Sequence, residues 1–180
     1  MDHVPSIPPT PYHERSYTLL SSQQTDTPGY FSETTHHSLS AICKVQTGHK
    51  PYPWQLDCAE ALVLGIDCIV LAGTGFGKTF PFTIPSLLHP NKITIVISPL
   101  NAIKEDQAGL KTAVVNHEIF DNKLYEELKD MSYQVIFTSP EMALKNNQFN
   151  SLLAMPAYHK RMIGIMVDEV HCISQWGGDF

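Results

Sequence analysis

CIVLAGTGFGKT, residues 68–79, is the stretch on which the fold turns. It opens with an apolar, partly β-branched run of strand length, 68–72. Glycines follow at positions 73, 75 and 77, and Lys78-Thr79 lead into a segment that reads as a helix over 78–88. A glycine-rich turn between a strand and a helix lets backbone N–H groups wrap an anionic oxygen. The helix N-terminus adds a partial positive charge at the same place.

The run therefore reads as a phosphate cradle made of Ala72, Gly73, Thr74, Gly75, Phe76, Gly77, Lys78 and Thr79. Lys78 is placed to reach the β and γ phosphates of a nucleotide, and Thr79 to ligate Mg²⁺. The strict pattern begins with glycine where this chain has Ala72, a change tolerated wherever positive φ is not needed. The plainer reading, a glycine-rich turn without a ligand, is disfavoured by the strand before it, the helix after it and the register of Gly77-Lys78-Thr79.

Outward from this unit the chain alternates. Further apolar runs of strand length are ITIVI (93–97), TAVV (112–115), YQVIF (133–137) and MIGIMV (162–167). Helix-like segments lie at 100–108, 121–129 and 141–153, and Pro81 and Pro85 are expected to shorten or kink the helix over 78–88. Trp54 to Leu64 reads as a helix closed by Gly65, and a short helix is expected near Leu39 to Cys43. Alternation of this kind predicts an α/β fold, a mostly parallel sheet with helices on both faces. Residues 1–37, rich in Pro, Ser, Thr and Gln, are expected to form a disordered tail, and 38–180 one lobe.

Composition bounds the function. The chain has 180 residues, 43% hydrophobic and 17% charged, with a net charge of −6. Residues 1–40 carry Arg15 against Asp2, Glu14, Asp26 and Glu33, a balance of −3, and the remainder contributes another −3. This is not the electrostatic footprint of tight nucleic-acid binding, so any such contact must come from local placement. Arginine occurs only at 15 and 161. Cys43, Cys58, Cys68 and Cys172 are scattered without a CxxC pair and read as reduced thiols. No apolar run is long enough to span a membrane.

MIGIMV ends in Asp168-Glu169, 90 residues after Lys78. A buried strand that delivers two carboxylates to its C-terminal end puts them where ligands bind in open α/β sheets. Asp168 is the candidate Mg²⁺ partner, and Glu169 the candidate base that orients and deprotonates the attacking water.

Taken together, AGTGFGKT and VDEVH resemble the ATPase core of superfamily 2 helicases, and HCISQWGGDF resembles the aromatic-rich loop of RecQ-type DNA helicases. SPLNAIKEDQ (98–107) and TSPEMAL (138–144) are similar to that family's DNA-side motifs, and WQLDCAEALVLGIDCIVLAGTG to its adenine-reading segment. The resemblance covers roughly 38–180 and names a RecA-like ATP-binding lobe. It implies that Gln55 contacts adenine and that residues 72–79 hold ATP and Mg²⁺. It implies metal and water roles for Asp168 and Glu169, and a relay from nucleotide to DNA through His171. Ser98, Pro99, Ser139 and Pro140 would meet the DNA backbone, and Trp176 and Phe180 would couple single-stranded DNA to hydrolysis. Tyr52 and Trp54 stand open between stacking on adenine and core packing.

Two departures stand out: Val170 replaces the usual Ala of DEAH, and Gly178 the usual His of QWGHDF. The family implies a second RecA-like lobe that supplies arginines to the transferring phosphate, worth about 10³–10⁵ in rate. The expectation is therefore a chain that binds Mg-ATP better than it hydrolyses it and does not unwind duplex DNA alone. The enzyme reading is the ATP-binding lobe of an ATP-dependent 3′–5′ DNA helicase, completed by a second lobe or a partner chain. The alternative is a nucleotide-binding, weakly DNA-binding module without helicase activity. Nuclear location is implied by the family alone.

Overall fold

The computed structural model describes residues 11–73, 75–78, 80–98 and 109–168. Three helices come first: α1 (Pro11–Asp26), α2 (Ser32–Thr47) and α3 (Pro53–Val63). Pro53 starts α3 at a position where a missing N–H costs nothing. Gly48 at φ 72° ends α2, and its N–H is taken by the Lys44 carbonyl. Then α4 (Phe80–Leu88) leads into β1 (Ile93–Ile97), β2 (Thr112–Val115), α5 (Asn122–Lys129) and β3 (Val135–Thr138). The described chain closes with α6 (Pro140–Lys145), α7 (Asn147–Leu153), α8 (Pro156–Arg161) and β4 (Met162–Val167).

The four strands form one sheet in the order β2-β3-β1-β4, and every pairing is parallel. Successive side chains point to opposite faces, and each face has its own cover. Ile93 and Ile95 of β1, Ala113 and Val115 of β2 and Ile136 of β3 pack with Leu128, Met142, Phe149, Leu152 and Tyr158 from α5 to α8. Val96, Val135, Phe137 and Met166 face the other way, onto Leu62 of α3 and Phe82 and Leu87 of α4. On that second face a buried Ser86 hydroxyl and Thr94 hydroxyl satisfy each other at 2.9 Å. A third layer of Leu39, Cys43, Ala59 and Ile84 joins α2 to α3 and α4. The expected α/β fold with helices on both faces of a parallel sheet is thus present.

Three expectations need correction. The run 68–72 is not a strand: its residues have no regular secondary structure and pair with no described strand. Ile69 is 87% and Leu71 92% exposed. An apolar run becomes a strand only where an edge receives it, and this one passes outside the sheet. The expected helix over 141–153 is two helices, because Asn146 leaves helical geometry (φ −89°, ψ 105°) and its side chain accepts from Phe149 N at 2.9 Å. Before residue 38, α1 and the first turns of α2 are helical where irregular chain was expected. Polar side chains anchor them: the Tyr17 hydroxyl donates to Asp57 at 2.6 Å and the Tyr30 hydroxyl to Glu60 at 3.0 Å, both on α3. The helix expected at 100–108 lies outside the described residues.

Candidate functional site

The glycine loop is shaped by local backbone demands. Gly75 (φ 85°) and Gly77 (φ 69°) take left-handed conformations that only glycine adopts without strain. At Gly73 a Cβ would meet the exposed Phe76 ring at 3.2 Å, so that ring would have to shift by a few tenths of an ångström. Phe76 N reaches back to Gly73 O at 3.4 Å, and Phe80 N to Gly77 O at 3.1 Å, so α4 begins directly off the loop.

Gln55 holds this loop from beneath. It is 3% exposed on α3. Its Oε1 accepts from Tyr52 N at 2.8 Å, and its Nε2 donates to Phe76 O at 3.3 Å and to Gly77 O at 3.1 Å. Both ends of the amide are therefore engaged with protein, one with the start of its own helix and one with the loop. In a trans peptide the N–H points opposite to the carbonyl. With Phe76 O and Gly77 O both accepting from Gln55, the N–H groups of Gly77 and Lys78 point away from it. Successive backbone N–H groups left free in this way can form an anion-binding concavity. The donor set thus fits phosphate oxygens, with the half-buried Lys78 next in line. Ala72 lies half-buried in the irregular chain ahead of the loop, and Phe76 is exposed. Thr74 and Thr79 lie outside the described residues.

The second group of expected residues gathers at the carboxyl edge of the sheet. Register places Ile97 level with Thr138 on one side and Val167 on the other. The next residues, Ser98, Ser139 and Asp168, therefore emerge at one level from three adjacent strands. Backbone bonds continue the ladders that far: Ser98 N donates to Thr138 O at 3.0 Å and Asp168 N to Ile97 O at 2.9 Å. Ser98 is buried and Asp168 half-buried. Ser139 caps α6, its hydroxyl accepting from Met142 N at 3.2 Å, and Pro140 occupies the first helical position. Pro99, Glu169, His171, Trp176 and Phe180 lie outside the described residues.

The thiols are arranged in a way that spacing alone did not reveal. Cys58 on α3 and Cys68 in the run before the loop bring their thiols together. The Cys58 thiol holds that of Cys68 below its ordinary value, and Cys68, with burial, pushes Cys58 up. Both are free cysteines. Arg161 is turned away from the carboxyl edge: it ends α8, and its guanidinium donates to the Met131 sulfur at 3.2 Å. It precedes β4, whose six residues end at Val167, next to Asp168. At about 3.3 Å per residue that separates the two by roughly 20 Å.

Comparison with known proteins matches these features. The family described as DEAD/DEAH box helicase fits residues 52–180. The ATP-dependent DNA helicase Q1 of Rattus norvegicus is 31% identical over 161 residues, covering 83% of this chain and 25% of that protein. The ATP-dependent DNA helicase RecQ of Synechocystis is 34% identical over 141 residues, 73% of this chain and 28% of its own. The ATP-dependent helicase SGS1 of Saccharomyces cerevisiae is 29% identical over 172 residues, 88% of this chain and 12% of its own. The chain spans about a quarter or less of the length of these relatives.

Proposed function

Because the chain belongs to the DEAD/DEAH box helicase family, and its relatives are RecQ-type helicases, we propose that it is the ATP-binding lobe of a RecQ-like 3′–5′ DNA helicase. Residues from about 38 onward form the lobe, and the residues before them are an extension of it. The observation that supports this reading most directly is the paired N–H groups of Gly77 and Lys78, turned away from Gln55 at the head of α4. These N–H groups and the Lys78 ammonium would hold the phosphates of ATP. Thr79 and Asp168 would hold Mg²⁺, which when bound neutralises charge developing on the transferring phosphoryl group. Glu169 would take the proton of the attacking water, and His171 would relay nucleotide state toward DNA.

Ser98 and Ser139, with Pro99 and Pro140, would present the DNA backbone with a platform beside the nucleotide, and Trp176 and Phe180 would stack on bases of a single strand. Gln55 would read adenine only by exchanging its loop bonds for the base, so the geometry favours a positioning role for it before nucleotide enters. Directional strand separation would require a second RecA-like lobe or a partner chain that supplies arginine.

A second reading is favoured by one observation, the position of Arg161 at the far end of β4. With no arginine at the described carboxyl edge, the chain itself would bind Mg-ATP and turn it over slowly, by about 10³–10⁵ less than with an arginine supplied. Mg-ATP binding and turnover, with and without single-stranded DNA, separate the two. In both readings Lys78→Ala weakens Mg-ATP binding at least about tenfold, the loss of roughly one charge-assisted contact. DNA-stimulated turnover abolished by Glu169→Gln establishes the catalytic lobe. Tight binding without turnover establishes the nucleotide-binding module, and no binding at all refutes both.

A further inference from the structure

Away from the glycine loop, two helices bring a histidine and two carboxylates together. Asp57 and Glu60 stand three residues apart on α3, so they share one face of the helix. His36, from α2, meets that face. Its Nε2 lies 2.8 Å from Glu60 Oε2 and 3.8 Å from Asp57 Oδ1. One ligand atom from each of the three residues falls within 4.8 Å of the other two. Glu60 is 1% exposed, and the side chains of His36 and Asp57 are 28% and 25% exposed, so solvent reaches the cluster past those two.

The oxygens not facing His36 are already held. The Tyr30 hydroxyl donates to Glu60 Oε1 at 3.0 Å, and the Tyr17 hydroxyl donates to Asp57 Oδ2 at 2.6 Å. Each carboxylate is thus fixed by a phenol on one oxygen and presents the other to the same point. Outer donors that orient carboxylates in this way are the usual second layer of a metal centre.

We propose that His36, Asp57 and Glu60 form a zinc site that joins α2 to α3. Two carboxylates this close, one of them fully buried, need positive charge between them. A protonated His36 would supply it. A divalent ion supplies it with the imidazole neutral. One nitrogen and two carboxylate oxygens, with a water from solvent in the fourth position, make a tetrahedral set for Zn²⁺. Bonds of about 2.0–2.1 Å put tetrahedral ligands about 3.3 Å apart. The present separations of 2.8 and 3.8 Å lie on either side of that value, so small rotations of side chains suffice. The ion would fasten the first two helices, through Tyr17, Tyr30 and His36, onto the helix whose Gln55 seats the glycine loop.

The test uses the full chain, stripped with chelator and titrated with zinc chloride at pH 7.5 without nucleotide, by calorimetry and thermal melting. One equivalent should bind with micromolar or tighter affinity. At a hundredfold excess over Kd, the melting temperature should rise by about 5 °C or more. His36→Ala and Glu60→Gln should each lose that equivalent and the thermal shift, and cobalt in place of zinc should give the visible absorption of a tetrahedral ion in the wild type and not in these two variants. Tyr17→Phe, which leaves all three ligands in place, should bind zinc about tenfold more weakly. An equivalent retained in Glu60→Gln places the metal elsewhere, at the thiols for example, and overturns the assignment. Absence of any zinc-dependent heat or shift overturns it too, and leaves a histidine–carboxylate ion pair. Because nucleotide is absent throughout, failure here is distinct from failure of the ATP-binding reading.

Discussion

Two apolar runs of the same length and kind end in opposite places. ITIVI, β1, sits at the centre of the sheet, and Ile93, Ile95 and Val96 are each 1% exposed. CIVLA, 68–72, runs outside the sheet with Ile69 and Leu71 almost fully in water. Hydrophobicity does not separate them. What separates them is cover: β1 has a strand on each side and a helical layer on each face, with Ile93 and Ile95 turned to one and Val96 to the other. The run 68–72 leaves α3 at the Gly65 turn and pairs with no described strand. An apolar run states that burial is favourable; only an available partner edge makes it a strand.

The covered side of this comparison predicts the largest effect. Phe149 of α7 is fully buried and meets the Phe120 ring edge-on at 6.1 Å, beneath the face that carries Ile93 and Ile95. Phe149→Ala should cost about 3–5 kcal/mol, read from the urea midpoint at unchanged m-value. A loss below about 1.5 kcal/mol would mean that the cavity collapses easily and that the cover is loose.

The next effect concerns pH. The Cys43 thiol, in the layer between α2, α3 and α4, is pushed up to about 11 by burial. The Tyr158 hydroxyl, donating to Leu128 O beneath the sheet, is pushed up to about 12 by burial. In both cases the folded state favours the neutral form. Their contribution is therefore whole below the unfolded values of 9.0 and 10.0 and is lost as pH rises through about 11 and 12. Stability should hold up to about pH 9 and fall above it, by on the order of 2 kcal/mol for the thiol alone, with the melting temperature falling alongside. Cys43→Ala should remove the early part of the fall. A profile of the same shape in that variant would show that the thiol titrates as freely in the folded chain as in the unfolded one.

The same contrast explains what could be read in the sequence. Strands β1 to β4 were legible because each is a short apolar run of strand length, whether covered throughout, as β3 is, or partly open, as β4 is. The glycine loop was legible because positions 75 and 77 need conformations that other residues resist. Asp168 followed from its place just past a strand end, and Ser98 from the resemblance of 98–107 to a helicase motif. Asn146 was not legible as a break, since its side chain caps α7 from within an otherwise helical pattern. Gln55 was placed on the right helix, but its turn toward loop carbonyls 21 and 22 residues away is a tertiary fact. Asp57 and Glu60 show helical spacing in the sequence, yet nothing there brings His36 to them across α2 and α3. Pairings between distant segments are where local reading stops.

The smallest expected effect is the sharpest probe of the comparison. With Ile69 and Leu71 in water, Ile69→Ser with Leu71→Ser should change stability by no more than about 0.5 kcal/mol. The sheet nevertheless has room for them. Its edge at β4 pairs with no further strand among the described residues, Ile165 on that strand is 53% exposed, and an open groove of about 420 Å³ runs beside it, lined by Leu153, His159, Met162 and Ile163 among others. Were 68–72 to lie along that edge in parallel, two aliphatic side chains would be buried at about 1.5–3 kcal/mol each. The double substitution would then cost roughly 3 kcal/mol or more. A loss of that size would place the run in the sheet and carry the glycine loop to the carboxyl edge beside Asp168, where the phosphate cradle and the metal carboxylate would share one ligand. A loss near zero would leave the loop held by Gln55 alone, and closing it onto Asp168 would then be part of what nucleotide binding has to accomplish.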